Sequence, residues 1–405
     1  MTNRFCIIPK THSGDRKHTS TPSSDTQHPM PKIAMLRIAL AASLILMAAS
    51  GARAAPPDPV LQKARQAVSK GVDYLHRTQE TDGSWGHYPA TTALALSGLL
   101  RNGKTETNDP AVAKGVQFLL KSVQPGGAIY SNANPAMALP NYNTCLVVMT
   151  LTETKNPVYK PTIRKALQYL EKVQFDEGEG IKPGSPMYGG IGYGDDPGDD
   201  THPDLSNLQF ALEALHEGGA PTGAPVFKKA LIFLQRVQNR KESNDQAWVK
   251  EGPNDGGFVY TSQGGTPADE GKANQQHLSY GSMSYAGLKS YIYAGVTKKD
   301  PRAQAAWNWI RGHYTVSEHP GMGSTSLYYY YHTMAKTLDV YGEKIVKDTK
   351  GVKHDWAHDL AGAIIAAQHP DGSWFNNNAR YWENQPSLVT SYSLITLSYC
   401  IGSRH

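Results

Sequence analysis

Between residues 59 and 402 one pattern recurs six times. An amphipathic helical stretch ends near a Gln, a Gly-rich turn carries an aromatic residue, and a second, more apolar helical stretch follows. The first members of each pair are predicted at roughly 59–79, 110–124, 157–174, 225–238, 301–314 and 354–368. Their apolar residues fall at helical spacing, as in Val112, Val116, Leu119 and Leu120, or Ile163, Leu167 and Leu170. Pro59, Pro110, Pro157, Pro225 and Pro301 stand where a first-turn proline is tolerated. The second members are predicted at roughly 90–101, 142–153, 204–217, 278–295, 325–342 and 387–400. These read as Ala, Leu, Tyr and Ser with few charges.

That asymmetry sets the fold class. A helix nearly free of charge on every face has to be enclosed, whereas its partner keeps Lys and Glu on one side for water. Six such hairpins predict an all-α protein, an α/α toroid with an outer and an inner ring of helices. A linear solenoid is the alternative, but its terminal repeats should be atypical and polar. Here the first and last turns, QETDGSW (79–85) and QHPDGSW (368–374), are the clearest copies, which favours closure. The turn between the last two outer stretches, HYTVSEHPGMGS (313–324), is degenerate. Turn residues such as Asp82-Gly83, Asp371-Gly372, Trp85 and Trp374 are expected to be structural, with Gln79 and Gln368 satisfying backbone at helix ends.

Composition changes the picture mainly at the N-terminus. The chain has 405 residues and a formal charge of +5. From Met35, MLRIALAASLILMAASGARA reads as a secretory signal. Arg37 is its basic region, Ile38–Ala49 its apolar core and Ala52-Arg53-Ala54 its cleavage site. Residues 1–34 are polar and read as a disordered extension or a mis-assigned start, with Met35 the initiator. An uncleaved signal anchor is the alternative. The expected organisation is therefore 1–34, a signal over 35–54, and one toroid domain over 55–405. The first 54 residues hold seven Lys and Arg but two acidic groups, so the rest carries 33 basic and 33 acidic groups. A neutral exported domain argues against nucleic acid as a partner. It predicts a periplasmic or extracellular monomer with no membrane span after cleavage. Cys145 and Cys400 read as buried thiols, with a disulfide between them open in an oxidising compartment.

The longest decorated loop, residues 188–204, carries Asp195, Asp196, Asp199, Asp200 and Asp204 just before a helix. Such carboxylates can share protons and raise a pKa for acid catalysis, or bind a divalent cation. The plainer reading is a solvated loop ending in the N-cap Asp204. A second candidate surface is aromatic and polar: Asn207, His277, Tyr280 and Tyr285, then Tyr328, Tyr331 and His332 from the run YYYYH. Such a wall suits a carbocation or a sugar stacked on rings, and tyrosines merely packing two helix layers are the alternative.

The spacing Gln79-Gly83-Trp85, repeated as Gln368-Gly372-Trp374, resembles the QW motif of squalene and oxidosqualene cyclases, shared more loosely with protein prenyltransferase β subunits. The resemblance spans roughly 59–402 and implies the toroid. Class II terpene cyclases carry Asp-x-Asp-Asp-Thr with the middle Asp as catalytic acid. This chain has Asp196-Pro-Gly-Asp199-Asp200-Thr201, without the first Asp at the required spacing. The resemblance then implies Asp199 as proton donor, with Asp200 or Asp204 as alternatives and His202 as an orienting partner. The prenyltransferase zinc set, an Asp with a nearby Cys and a distant His, has no counterpart, so no metal or other cofactor is expected. The chain is about half the length expected of a two-domain triterpene cyclase, which argues against squalene as substrate. Three functions stay open. One is a cyclase-like protein acting on or binding an isoprenoid or other apolar ligand. The others are a secreted carbohydrate-active enzyme and a noncatalytic binding or scaffold module.

Overall fold

The computed structural model describes residues 58–133, 138–194, 202–263 and 277–402. The predicted signal over 35–54 and the predicted extension before it lie outside these residues, as do Asp199 and Asp200. Among the described residues there are twelve α-helices, in the predicted pairs. The outer set is α1 (Pro59–Thr78), α3 (Pro110–Lys121), α5 (Lys160–Lys172), α7 (Pro225–Arg236), α9 (Pro301–Gly312) and α11 (Trp356–Ala366). The inner set is α2 (Pro89–Arg101), α4 (Pro140–Glu153), α6 (Leu205–Glu217), α8 (Gly281–Tyr293), α10 (Leu327–Tyr341) and α12 (Pro386–Gly402). Each inner helix packs on the next, and α12 returns to α2, which closes the ring. Closure also joins the outer layer, where α11 packs on α1.

The inner helices are enclosed as their composition requires. In α8, twelve residues are buried, on all sides of the helix, whereas α5 buries Ile163, Ala166, Tyr169 and Leu170 on one face. Two local departures from the predicted bounds have simple causes. The stretch 157–174 opens as a 3-10 turn over Pro157–Tyr159, because Pro161 has no N–H to give to Pro157 O, which takes the Lys160 N–H instead. Before α11 the chain forms an antiparallel pair, β1 (Ile345–Lys347) with β2 (Lys353–Asp355). Cys145 and Cys400 are buried in α4 and α12, and no disulfide joins them.

The Gln-containing turns act as staples between successive outer helices. Gln79 Nε2 donates to Gly83 O at 2.9 Å and to Ala111 O in α3 at 2.8 Å. Gln174 reaches Val226 O, Gln238 reaches Arg302 O, and Gln368 reaches Ala67 O, which closes the circle. Trp85 and Trp374 are fully buried, and their indole N–H groups donate to Leu75 O and Ile364 O. The backbone N–H of each Trp donates in turn to Thr92 or Thr390 on the following inner helix.

Gly372 shows why these turns need glycine. Its φ is +91°, and a Cβ there would lie 2.4 Å from Lys70 O of α1. Gly372→Ala combines left-handed strain with a backbone clash. It is expected to cost about 2 kcal/mol, read as a lowered urea midpoint, whereas Gly126→Ala in an open turn position should be near neutral.

Candidate functional site

All six inner helices point their N-terminal ends toward one cavity of about 680 Å³. Thr91 and Leu94 come from α2, Tyr142 from α4, and Ser206 and Phe210 from α6. Met283 of α8, Tyr329 of α10 and Tyr392 of α12 complete the circuit. Ten lining side chains are aromatic, so ring faces dominate the wall. Several of the tyrosine hydroxyls are bonded to neighbouring side chains, as Tyr88 is to Asn143 and Tyr142 to Tyr392. Tyr329 Oη lies 2.9 Å from Ser206 Oγ and accepts from Gln209 Nε2 at 2.7 Å. Rings whose hydroxyls are spent this way offer an apolar, polarisable surface.

Asp204 stands behind this wall as the N-cap of α6. It is 1% exposed and accepts from Asn207 N at 2.8 Å and Asn207 Nδ2 at 2.7 Å. The Tyr260 hydroxyl also donates to it, and Tyr260 bonds to Tyr193; both tyrosines line the cavity. Burial pushes the Asp204 carboxyl up to about 7, against the opposing hydrogen bonds from Asn207, Tyr260 and Ser206 N. Burial and the adjacent carboxylate raise Tyr260, so its hydroxyl keeps its proton. The geometry is rigid because Leu205 N donates to Tyr260 O at 3.0 Å and Asp204 N to Ile191 O at 3.3 Å.

Two wall residues were not anticipated. Glu383, 1% exposed, accepts from Tyr329 N at 2.8 Å and from Asn376 Nδ2 at 2.8 Å. It caps α10 from a distant loop, because the residue at the N-cap, Ser326, is left-handed and makes no side-chain cap. Burial raises its carboxyl, opposed by Asn376 and the α10 backbone. His319, in the degenerate turn, accepts from Ser282 N through Nε2 and bonds Thr325 O through Nδ1, both at 2.8 Å. Those partners assign the proton to Nδ1. Burial lowers its pKa to about 4, so it is a neutral buttress for α8.

The predicted site residues divide. Tyr280 lines the cavity, and Asp204 with Asn207 lies immediately behind it. His202 is exposed, 3.5 Å from Gln263 Nε2, and is not part of the wall. His277 is half-buried and stacks on Trp248 at 4.0 Å. Tyr285 packs edge-on to Tyr330, Tyr328 packs edge-on to Tyr331, and Tyr331 Oη donates to Val316 O at 2.6 Å. These three tyrosines join helix layers instead of facing the cavity. Of the four consecutive tyrosines, Tyr329 is the one in the wall.

His332 lies deeper, in a buried charged layer that Leu94 separates from the cavity. There Glu213 accepts from Lys289 Nζ at 2.5 Å and from Lys336, which also meets Glu217 at 2.9 Å. Arg101 pairs with Glu153. Burial, aided by Lys289 and Arg101, lowers His332 to about 3 and keeps it neutral. The layer gathers charged side chains from α2, α4, α6, α8 and α10. Among the described residues, no three His, Cys, Asp or Glu side chains converge as metal ligands.

No family model matches the sequence. The fold does match solved structures at low identity. The type II terpene cyclase MstE from Scytonema, in complex with geranylgeranyl dihydroxybenzoate, aligns at 12% identity with a TM-score of 0.52, covering 85% of this chain and 99% of the cyclase. An α-1,6-mannanase from Salegentibacter, in complex with α-1,6-mannotriose, aligns at 10% identity with a TM-score of 0.51, covering 84% and 98%. The chain therefore has the α/α-toroid architecture that a terpenoid cyclase and a mannanase share.

Proposed function

We propose that this protein is an exported, cyclase-like toroid that takes an isoprenoid or another apolar ligand into its aromatic cavity and isomerises or cyclises it by acid. One observation carries the reading. A buried carboxyl held near neutrality, Asp204, is hydrogen-bonded to Tyr260 in the wall of an aromatic cavity. In the proposed step, the proton of Asp204 moves to Tyr260 as Tyr260 gives its own proton to one alkene carbon. The alkene π pair forms the new C–H bond and leaves a tertiary carbocation. The faces of Tyr329, Tyr392 and Phe210 stabilise that cation. Loss of a proton from the rearranged cation back through Tyr260 resets Asp204.

The alternative, a carbohydrate-active enzyme, draws on the second buried carboxyl at the cavity, Glu383, and on the mannanase architecture. One experiment separates the two. Protein purified from the exported compartment is examined by native mass spectrometry, then incubated with geranylgeraniol in D2O. A retained isoprenoid and one deuterium per product molecule support the acid reading. A retained glycan, or hydrolysis of an oligosaccharide with no change in the isoprenoid, overturns it.

A further inference from the structure

The segment between α11 and α12 has two features that the acid step does not use. Tyr381 and Trp382 are consecutive and both hold left-handed backbone, at φ 57° and 61°, a region that bulky residues rarely occupy. They are 42% and 44% exposed, yet both line the cavity. Side chains that face cavity and solvent together stand at its mouth. Among the described residues, the other exposed large hydrophobic side chains are aliphatic: Val158, Leu278, Ile345 and Val352. The exposed Phe, Tyr and Trp side chains among the described residues are thus these two at the mouth.

The backbone holding these rings is tied down. Asn376 N donates to Glu383 O at 2.7 Å, Trp382 N to Ala379 O at 3.1 Å, and Arg380 N to Asn378 Oδ1 at 3.1 Å. Asn376 and Asn378 also reach Ser324 O at 2.7 Å and Thr325 Oγ1 at 2.9 Å, which fixes the strap to the loop opening α10. A left-handed pair held by such over-determination is the kind of strain that clusters at ligand clamps. Each ring is also oriented. Trp382 meets Tyr88 edge-on at 6.3 Å, and the Arg380 guanidinium lies 5.2 Å from the Tyr381 ring centroid.

We propose that Tyr381 and Trp382 form a ring-stacking clamp at the cavity mouth, and that it sets specificity for a ligand whose outer end carries a ring. The proposal rests on the apolar-ligand reading for what fills the cavity below. The ligand is then two-part: a flexible hydrocarbon chain inside, and a flat head group stacked between solvent and the strap. A chain of the same length without a ring forfeits the stacking contact.

Isothermal titration calorimetry on the full chain tests this with three probes: geranylgeraniol, geranylgeranyl benzoate and α-1,6-mannotriose. The wild-type protein should bind the benzoate ester about tenfold more tightly than the alcohol. Trp382→Ala and Tyr381→Ala should weaken the ester about tenfold and the alcohol by much less, so that the difference between the two lipids closes. Trp382→Phe should restore most of the difference. Equal weakening of both lipids, or no weakening of either, overturns the clamp. Wild-type binding of mannotriose alone, lost in Trp382→Ala, keeps the clamp and overturns the apolar-ligand reading. Binding of none of the three overturns both.

Discussion

Glu213→Gln is expected to destabilise the fold by about 3–5 kcal/mol, more than any surface charge change on the outer helices. Glu213 is 2% exposed and is the carboxylate that Lys289 and Lys336 share. Lys336 would keep Glu217, but Lys289, with no exposed surface, would lose its paired carboxylate. Burial already pulls the Lys289 pKa down, and an uncompensated ammonium would be pulled further. The sign follows. With a depressed folded pKa, the native variant holds fewer protons than the unfolded chain. Its stability should therefore rise with pH toward the ordinary lysine range of about 10.4. Replacing the whole pair, Glu213→Leu with Lys289→Met, should recover most of the loss, because an apolar pair needs no compensation. Urea unfolding followed by far-UV circular dichroism at pH 7 and 9 measures both effects. A Glu213→Gln variant with an unchanged midpoint would show that the shared carboxylate does not hold the charged layer together.

That layer also marks the limit of what the sequence reveals. The twelve helices were legible because the contrast between half-polar and charge-poor segments is local, and each prediction needs only neighbours in the chain. Bounds such as 204–217 against Leu205–Glu217 follow from a visible N-cap and a terminal glycine. The few charges inside the charge-poor helices, Glu213, Lys289 and Lys336, were visible too. Their convergence depends on the packing of successive inner helices, which sets α6 and α10 on either side of α8. A lone lysine in an enclosed helix can serve as a signal that a carboxylate waits on a neighbour.

The site was legible in part for a similar reason. Asp204 announced itself as a capping residue beside an enclosed helix, and Tyr280 as an aromatic at the start of another. The run YYYYH could not be phased. Tyr328, Tyr330 and Tyr331 are buried on a helix enclosed on every side, so hydropathy does not distinguish them from Tyr329. Glu383 left no signal at all. It caps α10 across 54 residues of sequence, and its segment, RYWENQP, has no periodicity. His319 sat in the turn that had lost the repeat pattern, and its role depends on Ser282 of a different hairpin.

Asp204→Asn should lower any acid-initiated turnover by roughly 10²–10⁴-fold while leaving the fold intact. The amide oxygen can still accept from Asn207 N, but the side chain has no acidic proton to pass to Tyr260. In the wild-type protein the active form is the protonated carboxyl, so kcat/KM should fall as pH rises through about 7; the residual rate of Asp204→Asn should lack that fall. The stability tied to this carboxyl should fall over the same direction of pH. Asp204 is raised from 3.8 to about 7 on folding, so between those values the native state keeps a proton that the unfolded chain releases. The stability tied to this group is full below pH 3.8 and is lost progressively as pH rises to about 7. The loss is on the order of 4 kcal/mol. Asparagine removes that dependence, so the variant should be the more stable protein at pH 8 and the poorer catalyst at pH 6. Such a trade is expected where a buried acid is kept for chemistry and not for packing. Urea midpoints at pH 5 and 8, set beside pH–rate profiles on the isoprenoid probe, decide the matter. If Asp204→Asn keeps the wild-type rate, Asp204 is only a helix cap and the acid has to be sought elsewhere.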